Sequence, residues 1–514
     1  MSKSYVIVFD IGTQSTRCML ISNEGEIVAQ AKSKYDKPYY SLKLGYAEQS
    51  FDYYYEHFKK VSLEVKEKAK DLWDKALAVS FTTIRDTFTT VDKDGKPTRD
   101  FILWLDNRRA NTDKPLPPLQ TILFKLVGME YCVKQQRLLC RQAWIKQNEE
   151  EIWSKSDKFA SLGAIFNKKL TNNLYEVEAS CIGHVPHDYK KGGWLNKREL
   201  TYPIYDLNPD KLPELKDTLS VIGNVTLECS LETGLKVGLP VIGSAADKAC
   251  ELAGSGVKDD KAAELAFGTS VSIEYLTDKY IEPDPFMPAY PSLNPKKFIS
   301  EVQIYRGCWM ISWFIENFCT KEEKEAIEKG VSTEEILDSH LKDAPIGSQG
   351  LVLLPYWNPP LTNPELRGTI MGFLPDHNKY HIYRAILEGI GYTLYENYLK
   401  LEKRTKQNID YFVISGGGSS SDEICQMMSD ILGKEIRKPK EFESTSLGCA
   451  LGTFVACGVY KSFEEATEKM ISYKKTFKPN EENHKLYMEV YNKIYKNILK
   501  KVSPVYKGYY KLPE

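Results

Sequence analysis

Three stretches place acids, hydroxyls and glycines at the ends of apolar runs. The first is Asp10-Ile-Gly-Thr-Gln-Ser-Thr-Arg17. An acid at the end of a buried strand can hold a metal ion, directly or through water. A following turn of glycine and hydroxyl residues offers N–H and O–H groups to phosphate oxygens. Thr13, Gln14 and Ser15 supply such groups here, and Arg17 adds a positive charge. An ordinary Asp-Gly hairpin turn would explain the stretch if it stood alone. It does not: Leu265-Ala-Phe-Gly-Thr-Ser-Val-Ser272 again sets a Gly-Thr turn, Gly268-Thr269, between apolar runs. Two such hairpins facing each other could grip a triphosphate from both sides. The third stretch is Tyr411-Phe-Val-Ile-Ser-Gly-Gly-Gly-Ser-Ser-Ser-Asp422. A strand running into Gly416, Gly417 and Gly418 and then a helix lets a flat ligand lie on bare backbone at a helix N-terminus. Ser421 or Asp422 could cap that helix. A flexible linker is the bland alternative, but linkers seldom sit between a strand and an amphipathic helix.

A second group of polar residues suits a different ligand. In Thr83-Ile-Arg-Asp-Thr87, the pair Arg85 and Asp86 follows an apolar strand. One donates and the other accepts, which matches the vicinal hydroxyls of a polyol. Trp104 offers a flat apolar face and Asp106 a further acceptor; a surface salt bridge beside a core tryptophan is the competing explanation. Asp247, in Gly243-Ser-Ala-Ala-Asp247, is flanked by alanines that leave it room to act as a base, or simply to cap a helix. No G-x-x-x-x-G-K-[ST] loop occurs, which excludes a P-loop enzyme, and no G-x-G-x-x-G follows the first strand,.

These residues need a scaffold of strands. Tyr5–Phe9, Cys18–Ser22 and Glu26–Gln30 read as a meander joined by tight turns,. Helical spacing follows at about Phe51–Asp71, then a strand at Ala76–Ser80,. The tail has apolar residues at helical spacing (Leu486, Val490, Tyr491, Ile494), which predicts a packing face. Strands mix with helices without strict alternation, so a simple Rossmann winding is not expected. With 514 residues the chain is too long for one core,. The repeated Gly-Thr hairpin predicts two related domains, residues 1–242 and 243–514, divided near the strand Leu239–Gly243,.

The formal net charge is −1, so no global field favours nucleic acid or an acidic membrane surface,. No apolar run is long enough for a signal core or a membrane span,. Eleven cysteines without C-x-x-C pairs point to reduced thiols in the cytoplasm,.

Taken in order, these motifs resemble the FGGY family of carbohydrate kinases. The resemblance also includes Gly45-Tyr-Ala-Glu-Gln49, Trp104-Leu-Asp-Asn-Arg-Arg109, the stretch from Gly368 to Glu388 and Ser446-Leu-Gly-Cys-Ala450. It covers most of the chain. It implies an α/β fold of two actin-like (RNase H-like) domains, with ATP in the interdomain cleft. It makes Asp247 the catalytic base and Asp10 the residue that orients Mg²⁺. Thr13, Gln14, Ser15, Arg17, Gly268 and Thr269 become phosphate contacts. Gly307, Gly416, Gly417, Gly418, Ser421 and Asp422 become nucleotide contacts. Arg85, Asp86, Trp104, Asp106 and Asp247 would face the sugar.

Glycerol kinases carry Arg-Glu at the first sugar position, and xylulokinases Met-His with Asp in the later tryptophan motif. This chain has Arg85-Asp86 and Trp104-x-Asp106, which departs from both. The shorter Asp86 leaves room for a substrate larger than glycerol, so a xylulose-like ketose is favoured over glycerol. A homodimer is what the resemblance suggests for assembly. An actin- or chaperone-like ATPase would need a peptide-binding module that the two repeats leave no chain for. A catalytically silent sugar-binding homologue would not need Asp10, Asp247 and Gly268-Thr269.

Overall fold

The structure is a computed structural model and describes residues 3–360 and 363–510. The chain forms two units. The first comprises Met1–Lys258, Asp278–Ile299 and Glu443–Ile471, and the second Asp259–Thr277, Ser300–Phe442 and Ser472–Glu514.

In the first unit six strands form one sheet: β1 (Tyr5–Ile11), β2 (Ser15–Ser22), β3 (Ile27–Lys34), β4 (Ala76–Thr83), β5 (Val221–Asn224) and β6 (Pro240–Gly243), in the order β5-β6-β4-β1-β2-β3. The expected meander is β1-β2-β3, antiparallel throughout. β4 then runs parallel to β1, and β6 parallel to β4. A strand paired on both edges and covered on both faces must be apolar throughout. Every residue of β1 is buried. The predicted helix is Phe51–Ala69, started by Ser50, whose hydroxyl accepts the N–H of Tyr53,. It buries Tyr54, Phe58, Val61 and Val65 on one face, and Phe58 stacks on Phe9 of β1 with ring centroids 3.7 Å apart,. A small sheet ordered Glu48–Gln49, Phe101–Ile102, Phe88–Val91, Lys158–Ser161 carries the segment that leads into Trp104.

The two units interleave along the chain, where the sequence leads one to expect a single division after residue 242. The helix Ser444–Ala456 belongs to the first unit and packs on the helix Asp247–Ser255. Its backbone comes so close that a Cβ on Gly254 would lie 1.8 Å from the Ser444 carbonyl oxygen, and one on Gly448 1.9 Å from that of Cys250. Only glycine allows such an approach, and the contact binds a late segment into the early unit.

The second unit repeats the strand-turn-strand theme. β7 (Ala262–Phe267) and β8 (Val271–Thr277) are antiparallel, and β10 (Tyr411–Ser415) lies parallel to β7. With β9 (Phe298–Ile304), β11 (Glu435–Pro439) and β12 (Tyr473–Phe477) the strands lie in the order β9-β8-β7-β10-β11-β12. The helix Lys379–Thr405 opens with a capping box between Asn378 and His381 and buries Tyr383, Ile386, Leu387, Ile390 and Leu394,. The tail is helical as predicted, over Glu481–Val490 and Lys496–Tyr510, but of the expected packing face Leu486 and Ile494 are exposed, and it is Tyr487, Tyr491 and Tyr495 that pack around Tyr392. Among the described residues no helix is long and apolar enough to cross a membrane.

Candidate active site

Three parallel neighbours of the first sheet each deliver one charged residue near their carboxyl ends. Asp10 is the penultimate residue of β1, Arg85 follows β4 by two positions, and Asp247 follows β6 by four. Carboxyl ends of parallel strands are where such sheets bind ligands, because the chain leaves the ladder there with side chains and amides unpaired. Arg85 Nε lies 3.9 Å from Asp247 Oδ1, and the Arg85 guanidinium sits 5.4 Å from the centre of the Tyr290 ring. Burial raises the Asp247 carboxyl above its ordinary value, with Arg85 and Lys248 pulling the other way. Asp247 occupies the first turn of its helix, but Ala246 holds the N-cap position. The Asp247 carboxylate accepts the N–H of Lys248 at 2.8 Å.

Asp10 is 5% exposed, and its Oδ2 accepts from Arg17 Nη1 at 2.7 Å across the β1–β2 ladder. Burial pushes this carboxyl up to about 6; Arg17 opposes the shift, and Asp247 and Glu443 add to it. The two acids, Asp10 and Asp247, thus sense each other's charge. Gly12 closes the turn by donating to the Ser15 carbonyl at 3.0 Å, which leaves Thr13 half-buried and Gln14 exposed. Ser15 lies buried in β2. Arg17 is steadied on its far side by Glu443, 3.3 Å from Nε, a residue that sequence reasoning missed.

The sugar candidates divide. Trp104 is 51% exposed and donates from Nε1 to the Thr13 hydroxyl at 2.9 Å. Asp106 is 3% exposed and already fully engaged. Its Oδ1 accepts from the backbone N–H and Nε of Arg108, each at 2.8 Å, and its Oδ2 from Arg108 Nη2 and the Ala47 N–H. A carboxylate has about four acceptor positions, and all four are taken. The expectation that Asp106 accepts from a sugar is therefore corrected: it pins the Trp104 turn to Ala47.

Asp86 keeps some capacity. Its Oδ1 accepts the His184 N–H at 3.1 Å, and its Oδ2 meets His184 Nδ1 and Arg141 Nη2, each at 3.0 Å. Burial works to raise the carboxyl, but Arg141 and His184 outweigh it and hold it below the usual range. Gly183 makes the close approach possible, since a Cβ there would lie 2.6 Å from Asp86 Oδ1. The Tyr189 hydroxyl grips the same glycine, accepting its N–H at 3.0 Å and donating to its carbonyl at 3.2 Å. Sequence reasoning missed Arg141 and His184. Both lie far from Asp86 along the chain, in segments without a recognisable motif.

The second unit has its own glycine-rich surface. Gly268 donates to the Ser270 carbonyl at 3.0 Å, a closure one residue shorter than at Gly12, and Thr269 is exposed. Gly416 has φ 80°, and a Cβ there would lie 2.6 Å from the Phe267 carbonyl oxygen, so β7 and β10 come together through bare backbone. Gly418 is held similarly against Phe267, whereas a Cβ on Gly417 would meet nothing within 4 Å. Ser421 is the N-cap of the helix Asp422–Leu432. Asp422 is bound by Lys438 at 3.0 Å and Lys475 at 2.7 Å; burial works to raise its carboxyl, but these lysines outweigh it and hold it low. Gly307 is buried where a Cβ would strike Val271, which accounts for the glycine by packing.

Among the described residues no group of three or more His, Cys, Asp or Glu side chains could cage a metal ion. What the arrangement offers is a half-buried acid beside an arginine, a buried acid beside a hydroxyl-bearing turn, and polar side chains next to an exposed indole. That is equipment for moving a phosphoryl group, which requires positioning, charge neutralisation and one proton acceptor.

Comparison with known proteins agrees. Residues 5–254 match the N-terminal domain of the FGGY family of carbohydrate kinases, and residues 263–457 match its C-terminal domain. A xylulose kinase of Staphylococcus epidermidis is 27% identical over 97% of this chain and 97% of its own. A gluconokinase of Bacillus subtilis is 28% identical over 94% of this chain and 93% of its own. The crystal structure of gluconate kinase from Lactobacillus acidophilus superposes with a TM-score of 0.83 at 21% identity, covering 99% of this chain and 100% of that one. Fold and family matches together define an actin-like, ATP-dependent sugar kinase. The chain belongs to the FGGY family of carbohydrate kinases.

Proposed function

We propose that the chain transfers the γ-phosphate of ATP to a hydroxyl of a small ketose of the xylulose kind, with Asp247 as the base. The observation that carries this is the common strand edge, where Asp10, Arg85 and Asp247 leave three parallel neighbours and Arg85 stands 3.9 Å from Asp247. Asp247 takes the proton of the sugar hydroxyl as that oxygen attacks the γ-phosphorus. The bond from phosphorus to the bridging oxygen breaks, and ADP leaves with the electron pair. Burial raises the proton affinity of Asp247, the direction that favours a general base,. Arg85, Asp86 and Trp104 would hold the sugar; Thr13, Gln14, Ser15, Arg17, Gly268 and Thr269 would hold phosphate oxygens. The open backbone at Gly417, flanked by Gly416 and Gly418, would carry the adenosine face.

A magnesium ion fits Asp10. Mg²⁺ typically uses one or two protein carboxylates together with phosphate oxygens and water, so no side-chain cage is needed. A buried carboxyl pushed up to about 6 gains from a nearby cation. Bound there, the ion would neutralise phosphate charge. All eleven cysteines are free thiols, which suits a reducing cytoplasm,.

The relatives favour a second substrate about equally, since a gluconokinase is 28% identical. Purified protein with ATP and Mg²⁺ should therefore be tested for ADP release with D-xylulose, D-gluconate and glycerol. The proposal expects strong stimulation by D-xylulose. Stimulation by D-gluconate instead would replace the substrate, and ATP binding without stimulation by any sugar would favour a silent homologue.

A further inference from the structure

We propose that Arg141 is a positioning residue of the sugar site, fixing the Asp86 carboxylate and the backbone beneath Trp104 with one guanidinium. The inference rests on the kinase reading for its sugar but not for its geometry. Arg141 is 4% exposed. Its Nη2 meets Asp86 Oδ2 at 3.0 Å and donates to the carbonyls of Leu103 at 3.1 Å and Trp104 at 3.2 Å. Two hydrogen bonds and an ion pair at one nitrogen join two segments that are otherwise separate in sequence.

Asp86 needs such a hold. Its φ is 50°, in the left-handed region that a residue with a Cβ seldom occupies unless its surroundings enforce it,. His184 supplies part of the enforcement, but it does not reach the Trp104 segment. Arg141 is alone among the partners shown for Asp86 in also binding the Leu103 and Trp104 carbonyls. Its Nε is buried without a hydrogen-bond partner, an arrangement that selection for stability alone would disfavour,. Nη1 donates separately to the Leu139 carbonyl at 2.9 Å, so the planar fork holds a further point that a single ammonium nitrogen would not reach at the same time,.

The test compares the full-length wild type with Arg141→Met and Arg141→Lys. Because a misplacement of about 1 Å costs roughly 100-fold in rate, R141M should lose about that factor in kcat/KM for the stimulating sugar, mainly through KM. Its KM for ATP should stay near the wild-type value, its Tm should fall as a broken buried ion pair requires,, and R141K should recover part of both losses. A crystal structure of R141M should show Asp86 out of the left-handed region and the Leu103–Trp104 backbone displaced. An unchanged sugar KM would overturn the proposal. So would an equal rise in the KM for sugar and for ATP, which would mark a merely structural arginine. If the wild type phosphorylated no sugar, the kinase reading would fail by itself. The R141M structure would still decide: displacement of Asp86 and Trp104 supports the positioning role, and an unmoved pair refutes it.

Discussion

The Trp104 indole N–H donates to the Thr13 hydroxyl over 2.9 Å, so the residue expected against the sugar is tied to the turn expected against phosphate. A bond of this kind is worth on the order of 1 kcal/mol. A double-mutant cycle with Trp104→Phe and Thr13→Ala, measured by kcat/KM for the sugar, should show a coupling of about that size. Simple additivity would mean that the two subsites are read independently.

Asp86 and Asp106 are both buried acids near Trp104, yet they should behave differently. Asp106→Asn removes the charge that Arg108 grips through three donors, and it should lower stability by roughly 3 kcal/mol,. The sugar KM of the remaining folded molecules should rise far less than with Asp86→Asn, because Asp106 only pins the turn that carries Trp104. Asp86→Asn should raise that KM at least about tenfold, as expected for a lost charge-assisted hydrogen bond. Thermal melts paired with kinetics separate the two effects.

The glycines of the second unit make a sharper contrast. Gly416→Ala puts a methyl group 2.6 Å from the Phe267 carbonyl oxygen at φ 80°, and should impair folding. Gly417→Ala meets no protein atom within 4 Å and should leave Tm unchanged. If adenosine lies on that backbone, Gly417→Ala should nevertheless raise the KM for ATP. Normal ATP affinity in this variant would remove Gly417 from the nucleotide site.

Glu388 connects stability to pH. Its carboxylate accepts the Gly347 N–H at 3.0 Å and pairs with Arg384 at 3.2 Å, yet burial pushes it up from 4.5 to about 7. A carboxyl raised on folding favours the folded state fully below its unfolded value of 4.5, and that contribution is lost as the pH climbs towards 7,. The shift corresponds to roughly 3 kcal/mol at 1.36 kcal/mol per pH unit. Denaturant melts between pH 5 and 8 should show Glu388→Gln gaining on the wild type as pH rises. A constant difference would contradict the assignment.

Local patterns were legible in the sequence because strand, turn and strand are neighbours in the chain. Asp10 to Arg17, Gly268-Thr269 and the strand running into Gly416 could all be read, and with them the two-domain actin-like architecture. The partners that set each side chain's task were not legible. A carboxylate two residues after Trp104 looks the same whether it faces a sugar or, as Asp106 does, the arginine at position 108. Arg141 and His184 reach Asp86 only through the fold. The return of Glu443–Ile471 to the first unit was not legible for a related reason. What joins Glu443–Ile471 to the first unit is backbone contact at Gly254 and Gly448, which no hydrophobic pattern records.

The most direct test of the central claim is turnover by Asp247→Asn. The variant keeps the shape of the side chain and its bond to the Lys248 N–H but cannot accept the proton. With the stimulating sugar, kcat should fall by about 10²–10⁴, the range for loss of a general base, while ATP affinity and Tm stay near wild type. Turnover within a few-fold of wild type would contradict the assignment of Asp247 as the base.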